Sequence, residues 1–228
     1  THFLPRTEKN NSYYKNPDND PRGPWNSAAY TCNKSRDERP NLYYPITNPY
    51  TGEKIFPKES AVWAYSEETY QQHVRDNLLY WGVNGEAKQP RKKAFLSEVG
   101  DVVPRSVWSH SDVGSTQKAT MENNTIFNMR AFSYPKVSTL VERIIQIASD
   151  KDSIVLDSFA GSGTTAHAVL NMNKSDGGNR KFILVEMGDY ADTITAERVK
   201  RVINGYGEGK NAVEGTGGNF SYYELGNP

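Results

Sequence analysis

Ser153-Ile154-Val155-Leu156-Asp157-Ser158-Phe159-Ala160-Gly161-Ser162-Gly163-Thr164-Thr165 is the stretch that decides how this chain folds. Its first five residues form an almost unbroken apolar run closed by an acid, which predicts a buried strand over 153–157. A Gly-x-Gly turn follows, and Ala166, Val169 and Leu170 then recur at helical spacing. The same texture extends outward on both sides. Upstream, Val137, Leu140, Val141, Ile144, Ile145 and Ala148 predict an amphipathic helix over 136–149. Downstream, Phe182-Ile183-Leu184-Val185-Glu186 predicts a second buried strand, Ile194, Val199, Val202 and Ile203 a further helix, and residues 220–225 a last strand. Helices alternating with near-continuous apolar strands indicate the α/β class with a parallel sheet.

The chemistry of the turn follows from its place. Open α/β sheets take nucleotide-like ligands just beyond the carboxyl ends of their strands. Gly161 and Gly163 let the backbone approach such a ligand with no Cβ in the way. Glu186 ends the neighbouring strand, where a carboxylate can accept hydrogen bonds from ribose hydroxyls. Together these features describe an adenosine pocket; the plain alternative is a tight turn whose glycines serve packing alone. Gly161 to Ala166 also matches the G-x-G-x-x-G/A pattern of dinucleotide folds, which keeps an NAD-dependent oxidoreductase in view. Asp157 tells against that reading, because it sets a negative charge beside a pyrophosphate. A cationic ligand such as S-adenosylmethionine suits the acid better. No Lys directly follows Gly163, which excludes a P-loop.

Residues 1–125 read differently, as an irregular α+β recognition or connecting region, with 126–228 as the cofactor-binding half. The first 60 or so residues are punctuated by turn signals such as Asn16-Pro17-Asp18 and Asp20-Pro21-Arg22-Gly23-Pro24. Ser66-Glu67-Glu68 opens a helix reaching about Leu78, since Ser caps and the two acids suit the positive helix end. Leu78–Trp81 and Lys93–Leu96 flank an Asn84-Gly85 turn and predict a hairpin.

Lys plus Arg and Asp plus Glu are equal at 27 each, so there is no global basic footprint of a free-standing nucleic-acid binder. Arg91, Lys92 and Lys93 form the local cluster best placed to meet DNA phosphates, against the plainer reading of a solvated surface. The lone Cys32 excludes an intrachain disulfide and a cysteine metal cluster, and the four His residues show no metal-ligand spacing, so no metal is expected. No apolar run approaches the roughly 18 residues of a membrane span, and a cytoplasmic location fits best.

At the turn the sequence resembles the amino-directed DNA methyltransferases in which the cofactor motif follows the catalytic one. Asp157 to Thr165 is similar to their first cofactor motif, DxFxGSGTT between strand and helix. Phe132-Ser133-Tyr134-Pro135-Lys136 is similar to the segment preceding that motif, with Val137 departing from the Pro that commonly follows the Lys. Residues 14–25, 39–46 and 112–120 resemble type III modification subunits in particular. The resemblance implies a partial Rossmann-like sheet and S-adenosylmethionine held by Asp157, Phe159, Gly161, Ser162, Gly163, Thr164, Thr165 and Glu186, with Phe132 and Lys136 near its methionine end. It also implies methyl transfer to the exocyclic amine of adenine in double-stranded DNA, with a restriction subunit as partner.

That chemistry needs an (Asp/Asn/Ser)-Pro-Pro-(Tyr/Phe) pattern to hold the flipped base. The sequence contains none; Asn48-Pro49-Tyr50 comes nearest and lacks one Pro. The family's order puts that motif ahead of residue 1, so the chain reads as a C-terminal fragment with no catalytic residue of its own. A non-catalytic DNA-recognition module therefore stays open. A sheet cut short in this way leaves apolar edge uncovered, which favours self-association.

Overall fold

The structure is a computed structural model and describes residues 2–226. The chain folds as two compact units, Pro5–Asp101 and a second made of the residues up to Leu4 with everything from Val102 onward. The division falls ahead of the 125/126 boundary read from the sequence, and the reason is a helix that sequence reading missed, described below.

The N-terminal unit is a set of short strands around aromatic side chains. In order it holds α1 (Glu8–Asn11), β1 (Trp25–Ala29), β2 (Thr31–Cys32), β3 (Ile46–Thr47), β4 (Lys54–Ile55), β5 (Val62–Trp63), α2 (Glu67–Arg75), β6 (Leu79–Tyr80) and β7 (Arg91–Phe95). The expected hairpin is present, Leu79 facing Lys92 and Tyr80 facing Arg91, and β1 completes an antiparallel sheet in the order β1-β7-β6. Ser66 caps α2 by accepting from the Thr69 amide, as its sequence signalled. The helix stops at Arg75, short of Leu78, because Asn77 turns left-handed at φ 49°.

Pairing of β2 with β5 and of β3 with β4 carries Trp63 and Ile46 inward, where they pack with Tyr30, Tyr44, Tyr70 and Trp81. Large aromatics supply much apolar area but bring polar tips that need partners. These are met: Trp63 Nε1 donates to the Tyr44 carbonyl at 2.7 Å, and the Tyr30 hydroxyl lies 2.9 Å from His73 Nδ1.

The C-terminal unit holds α3 (His110–Val113), α4 (Thr116–Phe127), α5 (Ser138–Ala148), β8 (Ile154–Asp157), α6 (Thr164–Asp176), β9 (Lys181–Leu184), a π-helical turn (Ala191–Ala196), α7 (Glu197–Asn204), β10 (Gly205–Tyr206) and β11 (Val213–Glu214). β8 and β9 pair in parallel with Asp157 opposite Leu184. α6 is the crossover between them, as a parallel pair requires.

Three expectations need correction. No strand forms at 220–225; Phe220 packs as coil against Ala166, Val199 and their neighbours, and the short antiparallel pair β10-β11 stands ahead of it. Among the described residues the parallel sheet therefore has two strands, in a mixed α/β unit of small sheets. Nor are β8 and β9 buried on both faces. Val155, Phe182 and Leu184 pack against α5, α6 and α7, whereas Ile154 and Leu156, each 64% exposed, and Ile183 and Val185 point away from them. The helices cover one face only, so an apolar run that reads as doubly buried is half solvated here.

α4 is the missed helix. It buries Ala119, Asn123, Ile126 and Phe127, and the polar Asn123 within that stripe broke the apolar period.

Candidate functional site

β8 ends in Asp157, and Glu186 follows two residues after the end of β9, so parallel pairing puts both acids at the same end of the sheet. The pairing continues past the strands, with Val185 N donating to Asp157 O at 2.9 Å and Ala160 N to Val185 O at 3.1 Å. Chain tied down this way must reverse sharply to start α6. It does so with left-handed conformations at Gly161 (φ 54°) and Gly163 (φ 78°), closed by Gly163 N donating to Ala160 O at 2.8 Å. A Cβ on Gly163 would stand 2.9 Å from the Thr195 carbonyl oxygen, so glycine is demanded there twice, by φ and by space. A Cβ on Gly161 would meet the Phe132 ring at 3.6 Å and the Phe159 carbonyl oxygen at 3.9 Å, both ordinary contacts.

Both acids are wired into this turn. Asp157 accepts from the Phe159 amide at 3.1 Å and from the Thr165 hydroxyl at 2.5 Å. Glu186 reaches across from the next strand tip to accept from the Gly161 amide at 2.7 Å, and its other oxygen accepts from Gly188 N at 2.9 Å. Desolvation pushes the Glu186 carboxyl up, but the Gly188 and Gly161 amides and the Tyr190 hydroxyl outweigh it and hold the group below its usual range. It is an anion at neutral pH.

The structure thus brings Asp157, Gly161, Gly163, Thr165 and Glu186 into one cradle. Phe132 joins it, its ring against Gly161 and edge-on to Tyr190 with centroids 5.4 Å apart. Phe159 lies on the open side, 85% exposed. Ser162 and Thr164 instead face the protein interior and are buried. Lys136 enters only through its backbone, the Thr164 hydroxyl donating to its carbonyl at 3.2 Å, while its side chain is exposed. Sequence reading missed Thr195, whose hydroxyl donates to Gly161 O at 2.6 Å, and Tyr190; neither sits in a motif that could have flagged it.

The basic cluster divides. Arg91 is exposed, its guanidinium donating to Ser27 Oγ at 2.8 Å and Ser27 O at 3.0 Å, and Lys92 lies 5.1 Å over the Tyr65 ring. Lys93 does not belong with them. Alternation along β7 turns it inward, where its side chain is 1% exposed and its ammonium is paired with Asp18 at 2.5 Å and Asp20 at 2.8 Å. A buried ammonium already held by two carboxylates is not free to neutralise a phosphate, so Lys93 is withdrawn from the DNA-contact set.

Among the described residues no group of His, Cys, Asp and Glu could hold a metal ion, and no helix is long and apolar enough to cross a membrane.

A bare turn between a parallel strand and its crossover helix, with acids at two adjacent strand tips, is the arrangement by which α/β proteins receive nucleotide-like ligands. Residues 2–197 match the DNA methylase family model, and the chain belongs to that family. It is similar to the Mod subunit of the type III restriction-modification enzyme StyLTI of Salmonella typhimurium, 33% identical over 83% of this chain and 30% of that protein. It is also similar to the type II methyltransferase M.KpnI of Klebsiella pneumoniae, 36% identical over 66% of this chain and 38% of the relative. The EcoPI Mod subunit of Escherichia phage P1 is 30% identical over 67% of this chain and 22% of its own length. The chain thus spans well under half the length of each of these relatives.

Proposed function

We propose that this chain is the S-adenosylmethionine-binding part of an adenine-specific DNA methyltransferase of the type III modification kind. The observation that carries the reading is the Glu186 to Gly161 hydrogen bond, which joins two strand tips into one anionic cradle around bare backbone. The donor set fits the cofactor: two carboxylates for a sulfonium, an amino group and ribose hydroxyls, aromatic edges from Phe132 and Tyr190, and a glycine turn with bare backbone. A dinucleotide pyrophosphate fits it less well, since it would meet Asp157 and Glu186 as like charges.

When bound, S-adenosylmethionine supplies an activated methyl group. The chain's own residues bind and orient it. Asp157 and Glu186 set the charge, Gly161 and Gly163 the close approach, and Phe159 and Phe132 the apolar flanks. Ser162, Thr164 and Thr165 fix the turn, and Lys136 lies at the methionine end. The acceptor in this reading is the exocyclic amine of adenine in double-stranded DNA, with Arg91 and Lys92 on phosphates and a restriction subunit as partner of the whole protein in the cytoplasm. With no (Asp/Asn/Ser)-Pro-Pro-(Tyr/Phe) pattern in its sequence, the chain alone does not methylate. Its sheet is read as part of a Rossmann-like one, and the bare face of β8 and β9 as the surface through which the isolated chain self-associates.

Calorimetric titration of S-adenosylmethionine into the chain tests this. Binding is expected, weakened at least tenfold by Asp157→Ala or Glu186→Ala. Binding of NAD in its place would instead favour an oxidoreductase, and DNA binding with no response to S-adenosylmethionine a recognition module.

A further inference from the structure

Arg198 lies outside the turn, on α7, and its guanidinium is completely buried. Nη1 donates to Ser162 Oγ at 3.0 Å and to Thr164 Oγ1 at 2.9 Å. Nη2 donates to Glu122 Oε2 at 2.9 Å and lies 3.0 Å from His167 Nδ1. One planar fork thus grips both hydroxyls that bracket Gly163, from beneath the cradle.

Its partner Glu122, on α4, performs a second task. α5 begins after Val137, which has no side-chain oxygen with which to cap it. The Glu122 carboxylate substitutes, accepting from the Ser138 amide at 3.1 Å and from the Ser138 hydroxyl. Ser138 fixes the downstream end of the 132–136 segment, and Thr164, while accepting from Arg198, donates to the Lys136 carbonyl. α6 likewise starts at Gly163 with no side-chain cap. Two helix starts that lack caps of their own, one on each side of the cradle, therefore share a single ion pair whose guanidinium is buried and whose Glu122 side chain is 15% exposed.

We infer that Arg198 and Glu122 are positioning residues for the cradle, holding the Gly161–Gly163 turn and the Phe132–Lys136 segment in the mutual placement that binding needs; this rests on reading that turn as the S-adenosylmethionine site. Neither residue touches the ligand. Burial alone would not select this arrangement, because a buried ion pair is often replaceable by apolar groups with little loss of stability. A planar fork that engages two turn hydroxyls and a second helix start does what an apolar pair cannot.

The test is the double variant Arg198→Met with Glu122→Leu, which removes both charges and leaves neither unpaired. Amide hydrogen exchange of the cofactor-free chain is read first. Residues 161–165 are expected to exchange at least tenfold faster while Val155 and Phe182 keep their protection, and the dissociation constant for S-adenosylmethionine is expected to rise at least tenfold. Arg198→Lys, which keeps the charge but not the fork, should fall between wild type and the double variant in both readouts. It is also the variant to read if the double one does not fold. Unchanged turn protection and affinity in a folded variant, or protection lost uniformly through the unit, would overturn the inference. If the wild-type chain binds no S-adenosylmethionine, the cofactor reading fails by itself, and the exchange pattern still decides whether the pair organises the turn.

Discussion

The two units bury their apolar residues in contrasting ways. The N-terminal unit has little regular structure, yet its aromatic cluster is closed: Tyr30, Ile46, Trp63 and Trp81 are all but inaccessible. The C-terminal unit has longer helices and a parallel strand pair, yet leaves Ile154, Leu156, Ile183 and Val185 facing out. Regularity of secondary structure is therefore no measure of how completely a unit satisfies itself. Short strands cover their core when turns fold them back over it. A sheet needs a layer on each face, and here only one is supplied.

The contrast extends to buried charge. Lys93 serves a local purpose, knitting Asp18 and Asp20 to β7, with Arg22 forking onto Asp20. The Arg22 hydrogen bond is the chief cause that holds the Asp20 carboxyl well below the usual carboxylate range. Arg198 instead serves the candidate site.

Lys93→Met should have the largest effect. It leaves two carboxylates in a closed unit without their ammonium and should cost about 3–5 kcal/mol. Urea unfolding followed by tryptophan fluorescence reads it well, since Trp25, Trp63 and Trp81 lie in that unit. A loss under about 1 kcal/mol would mean that the pair behaves as a surface one.

Gly163→Ala comes next, at about 2 kcal/mol, from a left-handed φ and a Cβ pressed on the Thr195 carbonyl. Gly161→Ala, whose Cβ meets the Phe132 ring and the Phe159 carbonyl at ordinary contact distance, should cost less in the same thermal melts. Equal losses would remove the role given to Thr195.

A smaller effect is expected from acid. Burial, and then the Arg198 charge, lower the His167 pKa to about 3, so the ring is neutral when folded and accepts from Arg198. With the folded value below the unfolded one, its contribution is complete above about pH 6.5 and declines as pH falls toward 3. His167→Gln should flatten the fall in stability between about pH 6.5 and 5. A ring proton that titrates near 6.5 by NMR would refute this.

The smallest effect tests the bare face. Leu156→Ser should shift stability by less than about 0.5 kcal/mol, where Val169→Ala on the covered side costs about 2. In sedimentation velocity Leu156→Ser should also reduce association of the isolated chain. A wild-type chain that stays monomeric would show that the face is not used between copies.

Much of the fold was legible in residue order. The strand, turn and helix at 153–176, the second strand, α5 and α7, the Ser66 cap and the 79–95 hairpin all follow from periodicity and turn residues. The paired acids and the two glycines were legible for the same reason. The helix at 116–127 was not, because a polar Asn123 occupies its buried stripe, and the strand expected at 220–225 lost to coil packing of Phe220. The inward turn of Lys93 was hidden because a basic run looks the same whichever of its members faces the core.

Residue order alone was enough to mark the strand, turn and helix of the candidate site and to put two carboxylates at neighbouring strand tips. Those outcomes depend on residues close along the chain, whose spacing is written in one dimension. It took packing in three dimensions to cover the strands on one side, to bring Lys93 to Asp20 across 73 positions, and to join Arg198 and Glu122, 76 positions apart, beneath the turn. A buried charge takes its meaning from the partner it meets in space, and no local pattern names that partner.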